Sequence, residues 1–124
     1  MSKANRSSDA ASVNLSELLA RVDNDRELLR ELLSIFKNEF PDHLQALRNA
    51  VAASDADQAA RVSHTLKGML ANLAVTKAAA SASRLEQLAR AGEISSLGGA
   101  LAAFEKEVQG LLPEMESYLA GARP

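Results

Sequence analysis

The sequence predicts an all-α protein, an antiparallel up-down-up-down four-helix bundle with a short extra N-terminal helix. Three observations carry that expectation. Ala and Leu supply 24 and 19 of the 124 residues, whereas Val, Ile and Thr together supply 10. Ala and Leu rank high in helix propensity, while strands draw on β-branched and aromatic residues, and the aromatics are three Phe and one Tyr. The apolar residues recur with helical spacing through five segments, and the polar breaks between them are short. Short connections between long amphipathic helices make neighbours antiparallel.

Residues 1–13 are small, polar and aperiodic, and read as a disordered tail or linker. Asn14 suits the N-cap of a short helix bearing Leu15, Leu18, Leu19 and Val22. Asp25 caps a second helix whose stripe includes Leu29, Leu33, Phe36, Phe40, Leu44, Leu47 and Val51. Pro41 sits inside that run, and the stripe resumes in phase beyond it, which predicts a kink rather than a stop. Ser54 or Asp55 caps a third helix reaching about Leu73, with Ala59, Val62, Leu66, Leu70 and Leu73 on its apolar face. Thr76 is the expected cap of a fourth helix through Leu85 and Leu88, closed by Gly92 at C′. A fifth runs from about Ser96 to Leu119, bent by Gly110 and Pro113. The bundle therefore spans 14–120 and leaves 121–124 as a tail. Its stripes are buried internally, so the expected state is a monomer.

Charge and composition exclude several classes. Fourteen Lys+Arg against sixteen Asp+Glu give a net charge of -2, without the basic excess of a nucleic-acid binder. No apolar run approaches the ~18 residues of a membrane span, and the N-terminal stretch lacks the apolar core of a signal peptide. The chain has no Cys and two His, so neither disulfides nor a dedicated zinc site is expected. The expectation is a cytoplasmic helical domain that binds neither nucleic acid nor membrane and holds no metal of its own.

The third helix carries the chemistry. On a wheel of about 100° per residue with His64 at zero, Val62, Leu66, Leu70 and Leu73 fall at roughly 160–240°. The core face thus points away from His64. Ala60, Lys67, Gly68 and Ala71 lie within about 60° of it on the outer side. An exposed mid-helix Gly costs ~1 kcal/mol relative to Ala, so Gly68 calls for a compensating reason. Access is one: a side chain at i+4 would lie beside His64, and its removal lets another protein close around the imidazole. Lys67, at i+3, places an ammonium near any anion attached to His64. Imidazole, with an ordinary pKa near 6.5, is largely neutral at cytoplasmic pH and is a competent nucleophile. Nucleophile, cation and cleared approach together suggest a phosphoryl acceptor. His43 has no following Lys-Gly and sits beside the Pro41 kink, so it reads as a surface histidine.

The stretch His64-Thr65-Leu66-Lys67-Gly68 strongly resembles the signature of histidine phosphotransfer (HPt) domains, in which His, any residue, Leu, Lys and Gly precede two small residues and later Leu-Gly-Ala. The resemblance extends over roughly residues 14 to 120, taking in Phe36, Glu39 and Pro41 and the segment from Arg84 to Gly92. It implies that His64 is the phosphorylated histidine, modified on Nε2. Lys67 is then the lysine near the phosphoryl group, and Gly68 the glycine that leaves room for the partner. Glu86 falls where some members have Gln, and Arg90 where some have a basic residue; from the residues alone they read as a solvated i, i+4 ion pair. Met69 and Leu70 replace the usual small pair and Ala74 replaces a glycine, which bears on helix spacing and the helix end rather than on His64.

The family implies a phosphorelay intermediate. A phosphoryl group arrives from a receiver-domain aspartate, rests on His64, and leaves to the aspartate of another receiver. The partners are then receiver domains of response regulators and of a hybrid sensor histidine kinase. They would supply the acidic pocket and Mg²⁺, since this chain has no acidic cluster placed for a metal. Docking is expected on the surface around His64, including Ala60 and Ala71, extended by the first and second helices. With no Gly-rich phosphate loop or kinase-type ATP motif, the chain is expected to be a phosphocarrier rather than an enzyme. A phosphoacceptor module of a chemotaxis-type kinase and a degenerate partner-binding bundle remain the alternatives.

Overall fold

The computed structural model describes residues 13–121. They form six helices: α1 (Leu15–Arg21), α2 (Arg26–Ala52), α3 (Ala56–Asn72), α4 (Thr76–Arg90), α5 (Ile94–Val108) and α6 (Leu111–Leu119). No strand occurs among the described residues, so the all-α class holds. Side-chain caps start three of these helices as the sequence suggests. Asn14, Asp25 and Asp55 accept hydrogen bonds from the backbone N–H of Glu17 (3.1 Å), Leu28 (3.0 Å) and Gln58 (3.1 Å).

The helix ends explain why the chain turns so abruptly. Asn24, Ser54, Ala74 and Gly92 each adopt a positive φ just past a helix. The next N–H then reaches back to close the helix, as in Asp55 N to Ala50 O (2.9 Å) and Val75 N to Leu70 O (2.9 Å). At Ala74 the φ of 60° is one that a β-carbon resists, at a cost of about 1–2 kcal/mol. This accounts for a glycine at that place in the family pattern. It also corrects the expected cap of α4. Val75, buried in the core, takes the N-cap position and Thr76 begins the helix, with no side-chain cap bond.

Helix α2 passes through Pro41 without ending, as expected; Pro41 is exposed, so water can serve the carbonyl that loses its donor. Two more expectations need correction. The fifth helix begins at Ile94 rather than Ser96, and it breaks at Gln109–Gly110 into α5 and α6 instead of bending. Pro113 falls in the first turn of α6, where its missing N–H has no intrahelical acceptor to satisfy. Val13, placed in the tail by its neighbours' composition, is buried, and its N–H donates to Glu114 (3.2 Å). The rest of the expected 1–13 and 121–124 tails, apart from Gly121, lies outside the described residues.

From α1 to α5 each helix packs on the next in the chain, and α2 also packs on α5 and α6. Phe40, Phe104, Leu33, Leu47, Leu66 and Leu85 are among the side chains wholly removed from water. Phe36 stacks on Phe40 with ring centroids 4.7 Å apart. The buried faces of α3 and α4 are rich in small residues: Ala59, Ala60 and Ser63 on one, Ala78, Ala79, Ala82 and Ala89 on the other. Small side chains let two helix backbones approach closely, which brings α4 within reach of His64. Arginines tie the outer helices down. Arg21 of α1 donates to the carbonyls of Ala71 (3.2 Å) and Asn72 (3.4 Å) at the end of α3, and Arg30 of α2 to Leu119 O (2.7 Å) at the end of α6. No helix among the described residues is long and apolar enough to cross a membrane.

Candidate functional site

His64 lies in the middle of α3 with 63% of its side chain exposed, whereas Glu86, facing it from α4, is 10% exposed. Its Nδ1 stands 3.3 and 3.2 Å from the two Glu86 oxygens. Lys67, one turn on from His64, brings its Nζ within 3.1 Å of Glu86 Oε1. Arg90, one turn on from Glu86, donates to Glu86 Oε2 from Nε (2.9 Å) and Nη2 (2.7 Å). One buried carboxylate therefore gathers an imidazole, an ammonium and a guanidinium.

The electrostatics follow from that arrangement. Burial is the largest single influence on Glu86 and pushes its carboxyl up. The hydrogen bonds from Arg90, Lys67 and His64, with the charge of Lys67, outweigh it and hold the carboxyl down at about 2, from an ordinary 4.5. Glu86 is thus ionised near neutrality and only accepts hydrogen bonds. In neutral His64 the proton must then sit on Nδ1, facing Glu86, which leaves the lone pair on Nε2.

A depressed carboxyl pKa stabilises the fold above the unfolded-state value and stops doing so as pH falls through the folded one. For Glu86 that window runs from 4.5 down to about 2. The shift corresponds to at most about 3 kcal/mol, less the screening of Lys67 and Arg90 by water. We expect Glu86→Gln to lower the urea midpoint near neutrality and to flatten its fall between about pH 4.5 and 2. Parallel pH profiles for parent and variant would mean that the carboxylate carries no net favourable interaction.

Of the site residues read from the sequence, the fold brings His64, Lys67, Glu86 and Arg90 together. Gly68 is exposed beside them, and a β-carbon built on it meets nothing within 4 Å. Ala71 is exposed as well, but Ala60 is not. It is 4% exposed, which corrects its expected outer position: α4 covers most of that flank of α3, and Ala60 only lines a groove between the two helices. The Glu86–Arg90 ion pair forms, yet it is solvated on the Arg90 side only, and its carboxylate is buried. The readable signal was phase, because Glu86 follows Ala82 by four residues and precedes Ala89 by three, in step with the buried alanines of α4. Ser63, fully buried with a hydroxyl that has no hydrogen-bond partner among the described residues, was also missed. His43 is half-buried on α2. Among the described residues there is no cluster of three or more His, Cys, Asp or Glu that could hold a metal ion.

Comparison with known proteins places this geometry. The solved structure of histidine-containing phosphotransfer protein B (HptB) from Pseudomonas aeruginosa PAO1 is similar in fold, with a TM-score of 0.80 and 22% sequence identity over 90% of this chain and 96% of that one. No curated protein matches the sequence. The family model for the Hpt domain matches residues 31–120, nearly three quarters of the chain, including Glu86 and the three residues gathered around it. The protein accordingly belongs to the Hpt domain family, and its role is phosphotransfer in two-component signalling.

Proposed function

We propose that this chain is a phosphorelay intermediate in which His64 carries the phosphoryl group between the aspartates of two receiver domains. The observation that carries the reading is the pose of His64: Nδ1 held by an ionised, buried Glu86, and the ring otherwise in water. The Nε2 lone pair attacks the phosphorus of a receiver aspartyl phosphate. As the N–P bond forms, the bond from phosphorus to the aspartate oxygen breaks, and the carboxylate leaves with its electron pair. Onward transfer reverses these changes, with a second carboxylate attacking phosphorus and the Nε2 pair returning to the ring. Throughout, Glu86 keeps the proton on Nδ1, so the leaving group is a neutral imidazole. Lys67 offers its charge to the phosphoryl oxygens.

The receiver supplies Mg²⁺, because Glu86, the carboxylate at this site, already faces three donors. Docking uses Gly68 and Ala71 and extends toward α2. There a groove of about 210 Å³ is lined by Leu32, Ile35, Phe36, Glu39, Met69, Asn72 and Leu73. Leu28 and Ile35 of α2 are 38% and 50% exposed, large apolar side chains available to a partner. The helices α2 to α5 are read as an up-down-up-down bundle of a monomeric, cytoplasmic phosphocarrier without kinase activity. The partners are receivers of response regulators and of a hybrid sensor kinase.

Incubation with a phosphorylated receiver domain, followed by assay for acid-labile, base-stable label, tests this reading. A chain that stays unlabelled while the receiver loses its phosphoryl group to water overturns it. Lys67→Ala is expected to slow transfer up to roughly fivefold, the equivalent of ~1 kcal/mol for a partly exposed charge. Quench-flow rates in both directions check this, and unchanged rates would leave Lys67 only a partner of Glu86.

A further inference from the structure

On the phosphorelay reading, we propose that a polar groove beside His64, between Arg61 and Arg90, receives a carboxylate side chain of the docking receiver domain and so sets which way round that partner sits. The groove has a volume of about 280 Å³ and is lined by Asp57, Ala60, Arg61, Ala89 and Arg90. It lies against α3 one turn before His64 and against the end of α4. The apolar groove of Ile35 and Met69 lies toward α2 and past His64 along α3. His64 therefore stands between a cationic recess on one side and an apolar one on the other.

The cations of this recess are held in place before any partner arrives. Arg90 is bound through Nε and Nη2 to Glu86, yet 59% of its side chain is in water. Arg61 donates from Nη2 to Gln58 Oε1 (3.0 Å) and is exposed. Asp57 lies four residues before Arg61, but among the described residues no ion pair joins it to either guanidinium. Arg61, Lys67 and Arg90 together oppose Asp57 and Glu86, an excess of one positive charge on a chain whose net charge is -2.

A guanidinium fork suits a carboxylate in geometry as well as sign. The occupant is an acidic side chain rather than a nucleic-acid phosphate, because a chain of net charge -2 repels a polyanion beyond the contact itself. Charges at the rim of an interface act mainly on encounter and register. An acidic side chain on the α4 side and an apolar one on the α2 side define a single orientation over His64.

The test compares the full chain with Arg61→Glu, using a phosphorylated receiver domain selected because it transfers to the parent. At about 0.1 M salt, where screening extends over ~10 Å, the KM for the receiver should rise about tenfold with kcat within about twofold. At about 1 M salt, where screening falls to ~3 Å, the two chains should converge. Arg61→Lys should recover part of the loss. Equal KM values at low salt, or a rise that persists at high salt, overturn the proposal. Labelling of parent His64 by phosphoramidate, a donor too small to dock, tests the underlying reading separately. If His64 is labelled while Arg61→Glu behaves as the parent toward the receiver, the groove has no such role and the phosphocarrier stands. If His64 takes label from neither donor, both fall.

Discussion

His64→Gln will keep the helical fold and lose all acid-labile label from a phosphorylated receiver domain. The fold should survive because the ring is 63% exposed and the core face of α3 is built from Val62, Leu66 and Leu70 on the other side. Gln is also a good helix former and can still hydrogen-bond to Glu86, so the buried carboxylate keeps a neutral third donor beside the charged Lys67 and Arg90. Stability should therefore change by no more than ~0.5 kcal/mol, as for other exposed substitutions. Chemistry does not survive, since an amide nitrogen shares its lone pair with its carbonyl and is no nucleophile. Circular dichroism checks the fold and radiolabel from the receiver checks the transfer. Persisting label would move the phosphoacceptor elsewhere, with His43 the next to examine.

Gly68→Gln should separate docking from folding. Nothing lies within 4 Å of a β-carbon at Gly68, and the residue is exposed, so internal packing does not require a glycine there. Replacing an exposed helical Gly by a good helix former should stabilise the free domain by about 0.5–1 kcal/mol. A long side chain one turn from His64 would, however, occupy the space a receiver must enter. Forcing extra atoms into a close-packed contact typically costs about 1–3 kcal/mol, which corresponds to a roughly fivefold to 150-fold loss in transfer. The expected pair of results is a urea midpoint at or above the parent's and a kcat/KM at least about fivefold lower. Lower stability with normal transfer per folded molecule would instead mean that Gly68 serves the helix itself and that the docking face lies elsewhere.

The local pattern of this chain was largely legible. Asn14, Asp25 and Asp55 cap the helices they precede, and Gly92 closes α4, because these interactions reach only three to five residues along the chain. The outward position of His64 and its neighbours Lys67 and Gly68 followed from helical spacing alone. Where a local rule met a tertiary demand, the demand won. Val75 displaced Thr76 as the cap of α4 because its side chain is needed in the core, and Val13 joined the fold through Glu114 of α6.

What the sequence by itself determined, then, is the first four helices and the stretch of α3 on which an exposed imidazole, a cation and a cleared approach occur together. The tertiary structure decided the environment of that imidazole. Glu86 and Arg90 read along the chain as an ordinary surface pair, and Ala60 as an open position. Only the packing of α4 on α3 turns the first into a buried carboxylate with three donors and covers the second. The reason is range. Helical periodicity specifies directions around one axis, whereas burial, and with it the ionisation of Glu86 and the proton on Nδ1, depends on which second helix lies against that axis and how closely.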